Sequence, residues 1–481
     1  MSGLSAHAAA WAIALPAAGA ALALVVGNRA ARLWVPLLVS AIVASVATLS
    51  VELVAYGPLR YPLGGWGVPL GIELYADGLS VLMLWMTALV SGVVSLYSLA
   101  YWPRAAAPAG FWSLWLFLWA ALNALFLSGD IFNLYVTLEL LTLAGVGLVV
   151  LAGDAAIPAA LRYLIAAVLA SLGYLLGVAL LYGAHGTLDL AMLAERIKPG
   201  PLAWSALALM TISLALKSAL FPLHFWLPPA HAAAPAPVSA ALSALVVKAA
   251  FYLVWRLWFQ PFGGLALDGG AQLLGALGAA AVVWGSWQAL RAERLKLLIA
   301  HSTVAQVGYL FLLFPLAAGG AVVLAADGAL LHMLSHAFAK AALFLAAGVA
   351  IHALGHDRIG GLGDLTRRFP LTLFAMGLAG TSLMGLPPSG GFVGKWLLLQ
   401  AVLAAGQWWW VAVLIGGGLL TAAYLFRVFR VMFVAPSGAA VARVPLAMEV
   451  GALVLALLAL ALGFAAELPL SLFRIGAPWH D

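Results

Sequence analysis

Apolar stretches of about 20 residues, long enough to cross a bilayer as helices, follow one another along almost the whole of this chain. Fourteen can be marked, at roughly residues 8–26, 33–55, 78–101, 109–127, 131–151, 160–183, 203–222, 238–259, 271–290, 297–315, 321–350, 371–401, 407–434 and 446–466. The runs are continuous, whereas the strands of a membrane barrel alternate over segments of about 10 residues, so a barrel is excluded. Hydrophobic residues make up 65% of the chain and charged residues 8%, against about 25% charged in soluble domains. The sequence therefore predicts an all-α integral membrane protein of about 14 transmembrane helices, with residues 1–481 forming one polytopic domain in a lipid bilayer.

The basic residues follow membrane topology. With both termini outside the cell inner (cytoplasmic) membrane, Arg29, Arg32, Arg104, Arg162, Arg291, Arg294, Lys296, Arg358, Arg367, Arg368, Arg427, Arg430 and Arg443 fall on the inner side or at inner helix ends. Arg60, Arg196, Lys198, Arg256 and Arg474 fall outside. That bias follows the positive-inside rule and supports an even number of spans. The net charge of +6 is accounted for in this way, and no nucleic-acid partner is implied. His7 is the one residue with a basic side chain before the first span, so that span reads as a retained helix and not as a signal peptide with a basic start.

Four of the six lysines, Lys217, Lys248, Lys340 and Lys395, lie inside spans, and one acidic residue, Glu139, joins them in mid-span. A charge at the centre of a membrane helix costs about 2.5–3.5 kcal/mol on insertion scales, so these residues should line a polar path within the protein. Such a path suits the movement of protons or cations. The chain has no cysteine, which removes disulfides, thiolate metal sites and cysteine-bound iron–sulfur clusters. Gly-rich phosphate loops and nucleophile–base pairs are missing as well. The expectation is a chain with no cofactor, no metal and no catalytic residue of its own, any redox centre belonging to a partner.

Two spans carry helix breakers close to a buried lysine. Pro222 cannot donate to the carbonyl of Ser218, so the helix should open just beyond Lys217. In Gly385-Leu386-Pro387-Pro388-Ser389-Gly390-Gly391, Pro387 and Pro388 interrupt a segment that is apolar on both flanks, shortly before Lys395. Irregular backbone at membrane depth is tolerated where it is buried in protein or lines a cavity. Paired interrupted helices point to inverted repeats, here residues 109–259 and 271–434, each a five-helix unit with one break, in helices 7 and 12.

Glu139 and Lys217 could hold each other charged where either alone would be disfavoured by desolvation. A lysine moving between Glu139 and a partner further inward would change its hold on a proton; a static ion pair joining two helices is the plainer reading. His332, His336 and Lys340 are spaced four apart and share one helix face. His301, with Ser302, Gln306 and Tyr309, forms a second polar stripe. Histidines on adjacent spans can relay protons, or simply bond neighbouring helices. His332 and His336 have metal-ligand spacing, but the nearest acid, Asp327, points off their face. His224 and His231 flank Phe225-Trp226-Leu227-Pro228-Pro229-Ala230, a re-entrant connection that either admits protons or caps helix ends.

The tract His224-Phe-Trp-Leu-Pro-Pro-Ala-His231-Ala-Ala-Ala-Pro235-Ala-Pro237-Val-Ser239, followed by Lys248, resembles the antiporter-like subunits shared by respiratory complex I, membrane-bound hydrogenases and Mrp-type sodium/proton antiporters. The likeness extends to His301 through Tyr309, to His332 through Gly348, and to Gly391-Phe392-Val-Gly394-Lys395, covering roughly residues 70 to 435. It implies inverted repeats, broken helices 7 and 12, and a central hydrophilic axis. In that axis the carboxylate at Glu139 pairs with Lys217, Lys248 is the central relay and Lys395 ends the path. The lysine at that last position looks like the choice of the D-type subunit of Mrp antiporters and of several complex I subunits, and the tract from Arg162 to Leu188 looks closest to that D-type subunit. Ala250 stands where the family usually has glycine, and Gly145 where a more polar residue is common.

Three functions are left open by the sequence. One is a proton-translocating subunit of a multisubunit Mrp-type monovalent cation/proton antiporter, working with other membrane subunits on protons, with sodium as a candidate cation. Another is the equivalent proton-pumping subunit of a complex I-like NADH-quinone oxidoreductase or membrane-bound hydrogenase. The third is a membrane scaffold whose buried charges do not move.

Overall fold

The computed structural model describes residues 7–102, 107–265, 268–363, 365–434 and 441–479. Arg104, and the side chains of Arg29 and Arg367, lie outside the described residues. Two helices, α1 (Ala8–Val26) and α2 (Ala31–Tyr56), lead into an antiparallel pair, β1 (Leu59–Pro62) and β2 (Glu73–Ala76), in which Leu59 faces Ala76. Then come α3 (Gly78–Tyr101), α4 (Phe111–Leu127), α5 (Ile131–Val150), α6 (Ile157–His185), the short α7 (Leu190–Arg196), α8 (Pro201–Lys217), α9 (Leu227–Ala233), α10 (Ala236–Ala241) and α11 (Val247–Phe259). The remainder is α12 (Asp268–Arg291), α13 (Leu295–Leu310), α14 (Leu313–Leu316), α15 (Val322–Leu354), α16 (Leu365–Arg368), α17 (Pro370–Met384), α18 (Gly390–Ala404), α19 (Trp410–Val434), α20 (Leu446–Phe464) and α21 (Glu467–Phe473).

Among the described residues, ten helical segments are long and apolar enough to cross a membrane, and α4, α8, α17 and α18 are shorter apolar helices. The expected span 371–401 is two helices, α17 and α18, of 15 residues each, because Pro387 and Pro388 interrupt it. The expected span 203–222 stops as helix at Lys217. Caps set several starts: the Asp77 carboxylate accepts from the Ser80 amide at α3, Asp130 from Asn133 at α5, and Ser389 from Phe392 at α18.

The core is built around α15, whose residues from Ala325 to Ala350 are buried, and α11 is almost wholly enclosed as well. Outer helices turn leucine and valine outward, including Leu24, Val25, Leu33 and Leu37, as lipid contact requires. Where α15 and α18 meet, the backbones come so close that a methyl group on Gly394 would stand 2.6 Å from the amide nitrogen of His332. Glycine is the residue that allows this approach.

Three sequence expectations change. Arg256 is not at the outer surface: it is buried and ion-paired to Asp77, because α11 carries it inward of the end of the span. Lys296 is at a helix start but is also buried, donating to the carbonyl of Ala234. Glu139 is joined by other acids buried in helices, Glu52, Asp327 and Glu449, the last accepting from the Thr372 hydroxyl at 3.1 Å.

Candidate functional site

Helix α8 ends at Lys217, and the chain turns through Ser218 to Trp226 before α9. Its last turn is closed by Leu220 donating to Ala215 at 2.9 Å, with Ala219 in the left-handed region at φ 56°. The Trp226 indole donates to the Leu216 carbonyl at 2.9 Å, which also accepts from the Ala219 amide at 3.2 Å. A cation in the last turn suits the negative end of the helix dipole. From there the Lys217 ammonium reaches α5, donating to Thr142 Oγ1 at 2.9 Å and lying 3.5 Å from Glu139 Oε1. The hydroxyl of Ser171 on α6 donates to the same carboxylate. Three helices therefore converge on Glu139.

The second half of the site is strung along α13. A π-helical turn, Leu242–Val246, precedes α11, and the Lys248 ammonium folds back onto the Ser243 carbonyl. The Ser243 hydroxyl bonds Thr303 on α13 at 2.8 Å. One turn away, Lys340 on α15 donates to the Ile299 carbonyl at 2.9 Å and to the Ser302 hydroxyl. His332 Nε2 lies 3.1 Å from the Gln306 carbonyl, and His332 and His336 stack with ring centroids 5.9 Å apart. Tyr309 stands between His332, at 5.4 Å edge to face, and the Lys395 ammonium, 4.5 Å from its ring. Lys395 also donates to Leu383 at 2.8 Å and Met384 at 3.4 Å, capping α17 across the break that Gly385 makes with φ 82°. Thus Lys340, His332 and Lys395 all touch α13, on the stripe that contains Ser302, Gln306 and Tyr309, and Lys248 is joined to it through Ser243 and Thr303.

The ammonium bonds differ between the halves. Lys217 faces a carboxylate, while those of Lys248, Lys340 and Lys395 run to carbonyls and a hydroxyl. Both ring nitrogens of His336, and both of His231, are buried without a protein hydrogen-bond partner. A buried imidazole in that state is costly unless water supplies its bonds, so the site is chemically suited to hold water.

Not every expected residue joins this line. His231 stacks on Phe344 at 4.8 Å, and His224 lies half-buried against Phe221 in the turn before α9. Both sit on the connection between α8 and α10, His231 within α9. His301 is part-exposed and lies off the stripe of α13 that meets the lysines. The sequence reading missed Lys296, whose ammonium lies at the junction of α9 and α10; its place in an Arg-Leu-Lys helix start gives no hint of burial.

Fold and site define an integral membrane protein with cationic groups strung through its interior on broken and π-turned helices. Residues 128–421 match the family described as NADH:quinone oxidoreductase/Mrp antiporter, transmembrane. The chain is 39% identical over 397 residues to the N subunit of the NADH-quinone oxidoreductase of Desulforudis audaxviator (strain MP104C), covering 81% of this chain and 78% of that one. It is 31% identical over 372 residues to the D subunit of the Na(+)/H(+) antiporter of Bacillus subtilis (strain 168), covering 76% and 74%. A chain of the Mrp complex from Dietzia sp. DQ12-45-1b superposes with a TM-score of 0.88 at 26% identity, covering 98% of this chain and 96% of that one. The protein belongs to the NADH:quinone oxidoreductase/Mrp antiporter membrane family and is an antiporter-like, multi-pass membrane subunit of it.

Proposed function

We propose that this chain is the proton-translocating subunit of a multisubunit Mrp-type monovalent cation/proton antiporter. The observation that carries the proposal is the line of Lys248, Lys340, His332 and Lys395 along the polar stripe of α13; in this reading the Glu139–Lys217 pair feeds it. Each ammonium or imidazole can hold a proton, and each is bonded to groups that accept without trapping it as a fixed salt bridge. In this reading His224 and His231 form the entry, Lys248 is the central relay and Lys395 passes the proton to a neighbouring subunit. Residues 109–259 and 271–434 act as inverted repeats, each opened beside a lysine. Both termini lie outside, which puts Arg162, Arg291, Arg294 and Arg358 in the cytoplasm.

Likeness in fold to the Dietzia Mrp complex, and in sequence to the Bacillus subtilis antiporter chain, supports the Mrp assignment. The 39% identity to a chain of a NADH-quinone oxidoreductase favours a second reading, a proton-pumping subunit of a complex I-like enzyme. The test is to purify the chain with the membrane partners it brings along, reconstitute the assembly and follow internal pH. Proton counterflow driven by a sodium or potassium gradient alone is expected. Proton movement that requires electron delivery to quinone would establish the second reading instead, and movement under neither condition would leave a scaffold.

A further inference from the structure

A buried ion pair lies outside this line, toward the far end of α11. On α11, Lys248, Tyr252 and Arg256 recur every four residues and share a face, which puts Arg256 about 12 Å beyond Lys248 along the helix. Arg256 is 5% exposed; its guanidinium grips both carboxylate oxygens of Asp77, and its Nε donates to the Tyr252 hydroxyl at 2.9 Å. Tyr252 in turn donates to the Phe126 carbonyl on α4 at 2.8 Å. On the far side, the Tyr75 ring lies between Arg256, at 6.0 Å, and the exposed Arg60, at 5.3 Å. Arg60 belongs to a cavity of about 350 Å³ that also presents Asp189, Glu195 and Gln260. A void of about 10 Å³ beside Arg256 and Asp77 shares Phe259, Gln260 and Pro478 with it.

We infer that the Asp77–Arg256 pair is the outer gate of the polar axis: closed, it seals Lys248 from the acidic outer cavity, and opened, it lets water and protons pass between them. The inference rests on the transport reading above and on the orientation assigned there. Stability alone is a weak reason for such a pair, since hydrophobic replacements of buried ion pairs are often neutral or stabilising. Position gives a better one. A guanidinium does not release its proton, so it cannot relay. Neutralised by Asp77 and tied to Tyr252, it fills the place where the Lys248 face of α11 would otherwise meet the cavity.

The absence of native cysteine makes the gate testable by thiol accessibility. Phe126 packs on the Tyr252 ring, one layer inward of the pair, and Gln260 lines the cavity. In vesicles holding the intact complex, an impermeant charged thiol reagent applied outside should modify Gln260→Cys and leave Phe126→Cys untouched. Adding Arg256→Gln to Phe126→Cys should raise its labelling about tenfold or more, as expected when a buried pair is broken, while Arg256→Lys should not. With the pair intact, imposing a sodium gradient should also raise Phe126→Cys labelling, a measurement that survives if Arg256→Gln fails to assemble. Labelling of Phe126→Cys that is high with the pair intact, or that stays absent during turnover of an active complex, would overturn the gate. Because labelling is read on the chain itself, a failed gate leaves transport by the lysines standing. Loss of transport as a function is recognised separately, by its own assay.

Discussion

Lys217, the last residue of α8, holds its ammonium 3.5 Å from the carboxylate of Glu139 on α5, and Thr142 and Ser171 complete the bonds of the two groups. The lysine side chain is 7% exposed and the glutamate 25%, so the pair is buried at one end and reachable at the other. Breaking a buried pair by removing one partner costs about 3–5 kcal/mol, an upper bound here because Glu139 is partly open. Glu139→Gln should therefore abolish transport or move its pH optimum downward, since the charge that favours the protonated lysine is gone. Glu139→Asp keeps the charge at a longer reach and should be milder. Matching pH–activity profiles for both variants and the unmodified protein would show that Glu139 does not tune the lysine.

Lys395 has two jobs in this structure, and they can be separated. Its ammonium caps α17 through Leu383 and Met384 while facing Tyr309. Lys395→Met removes the charged donor from the Met384 carbonyl and from the Leu383 carbonyl, which keeps only the Gln306 amide at 3.3 Å; the loss of about 1–3 kcal/mol should lower the melting temperature of the complex as well as stopping transport. An unchanged melting temperature would mean that the break is held by Gly385, Pro387 and Pro388 without the lysine.

Packing between α15 and α18 sets the backbone of His332 against Gly394, shortly after the second break. Gly394→Ala would push a methyl group into the backbone at His332, which cannot yield as a flexible side chain could. Overpacking of this kind costs about 1–3 kcal/mol and should appear as a reduced melting temperature. Gly416→Ala on α19, where nothing lies within 4 Å, is the control and should be neutral or slightly stabilising.

The line of ammonium groups meets few carboxylates, and Lys395 ends beside a cavity of about 390 Å³ whose walls include Leu386, Trp396 and Phe426, residues exposed on the outside of the bundle. On the proposed reading, counter-charges beyond Lys395 come from a neighbouring subunit. Purified alone into liposomes, the chain should show little coupled antiport. Robust sodium-dependent proton exchange by the single chain would contradict this.

Much of the site was legible because membranes make charge conspicuous. Glu139, Lys217, Lys248, Lys340 and Lys395 stand out in apolar runs, and Pro222, Pro387 and Pro388 mark the breaks that the structure shows as the ends of α8 and α17. Long-range pairing was not legible. Nothing in the sequence singles out Asp77, and Arg256 reads as an outside charge, yet they meet across 179 residues. The spacing of Lys248, Tyr252 and Arg256 on an otherwise apolar helix was the available signal. The hairpin of β1 and β2 lay in a Gly- and Pro-rich connection whose pairing depends on contacts from elsewhere, including Gly129 donating to Glu73 at 3.2 Å.

The most direct test is proton movement through the assembled complex with Lys217→Ala and Lys248→Ala introduced separately, at equal expression and with assembly checked by copurifying partners. Both residues are buried donors on the proposed path, one at its start and one at its centre. Transport should fall to background in each variant while assembly persists; undiminished transport in both would contradict a lysine relay and leave the buried charges as structure.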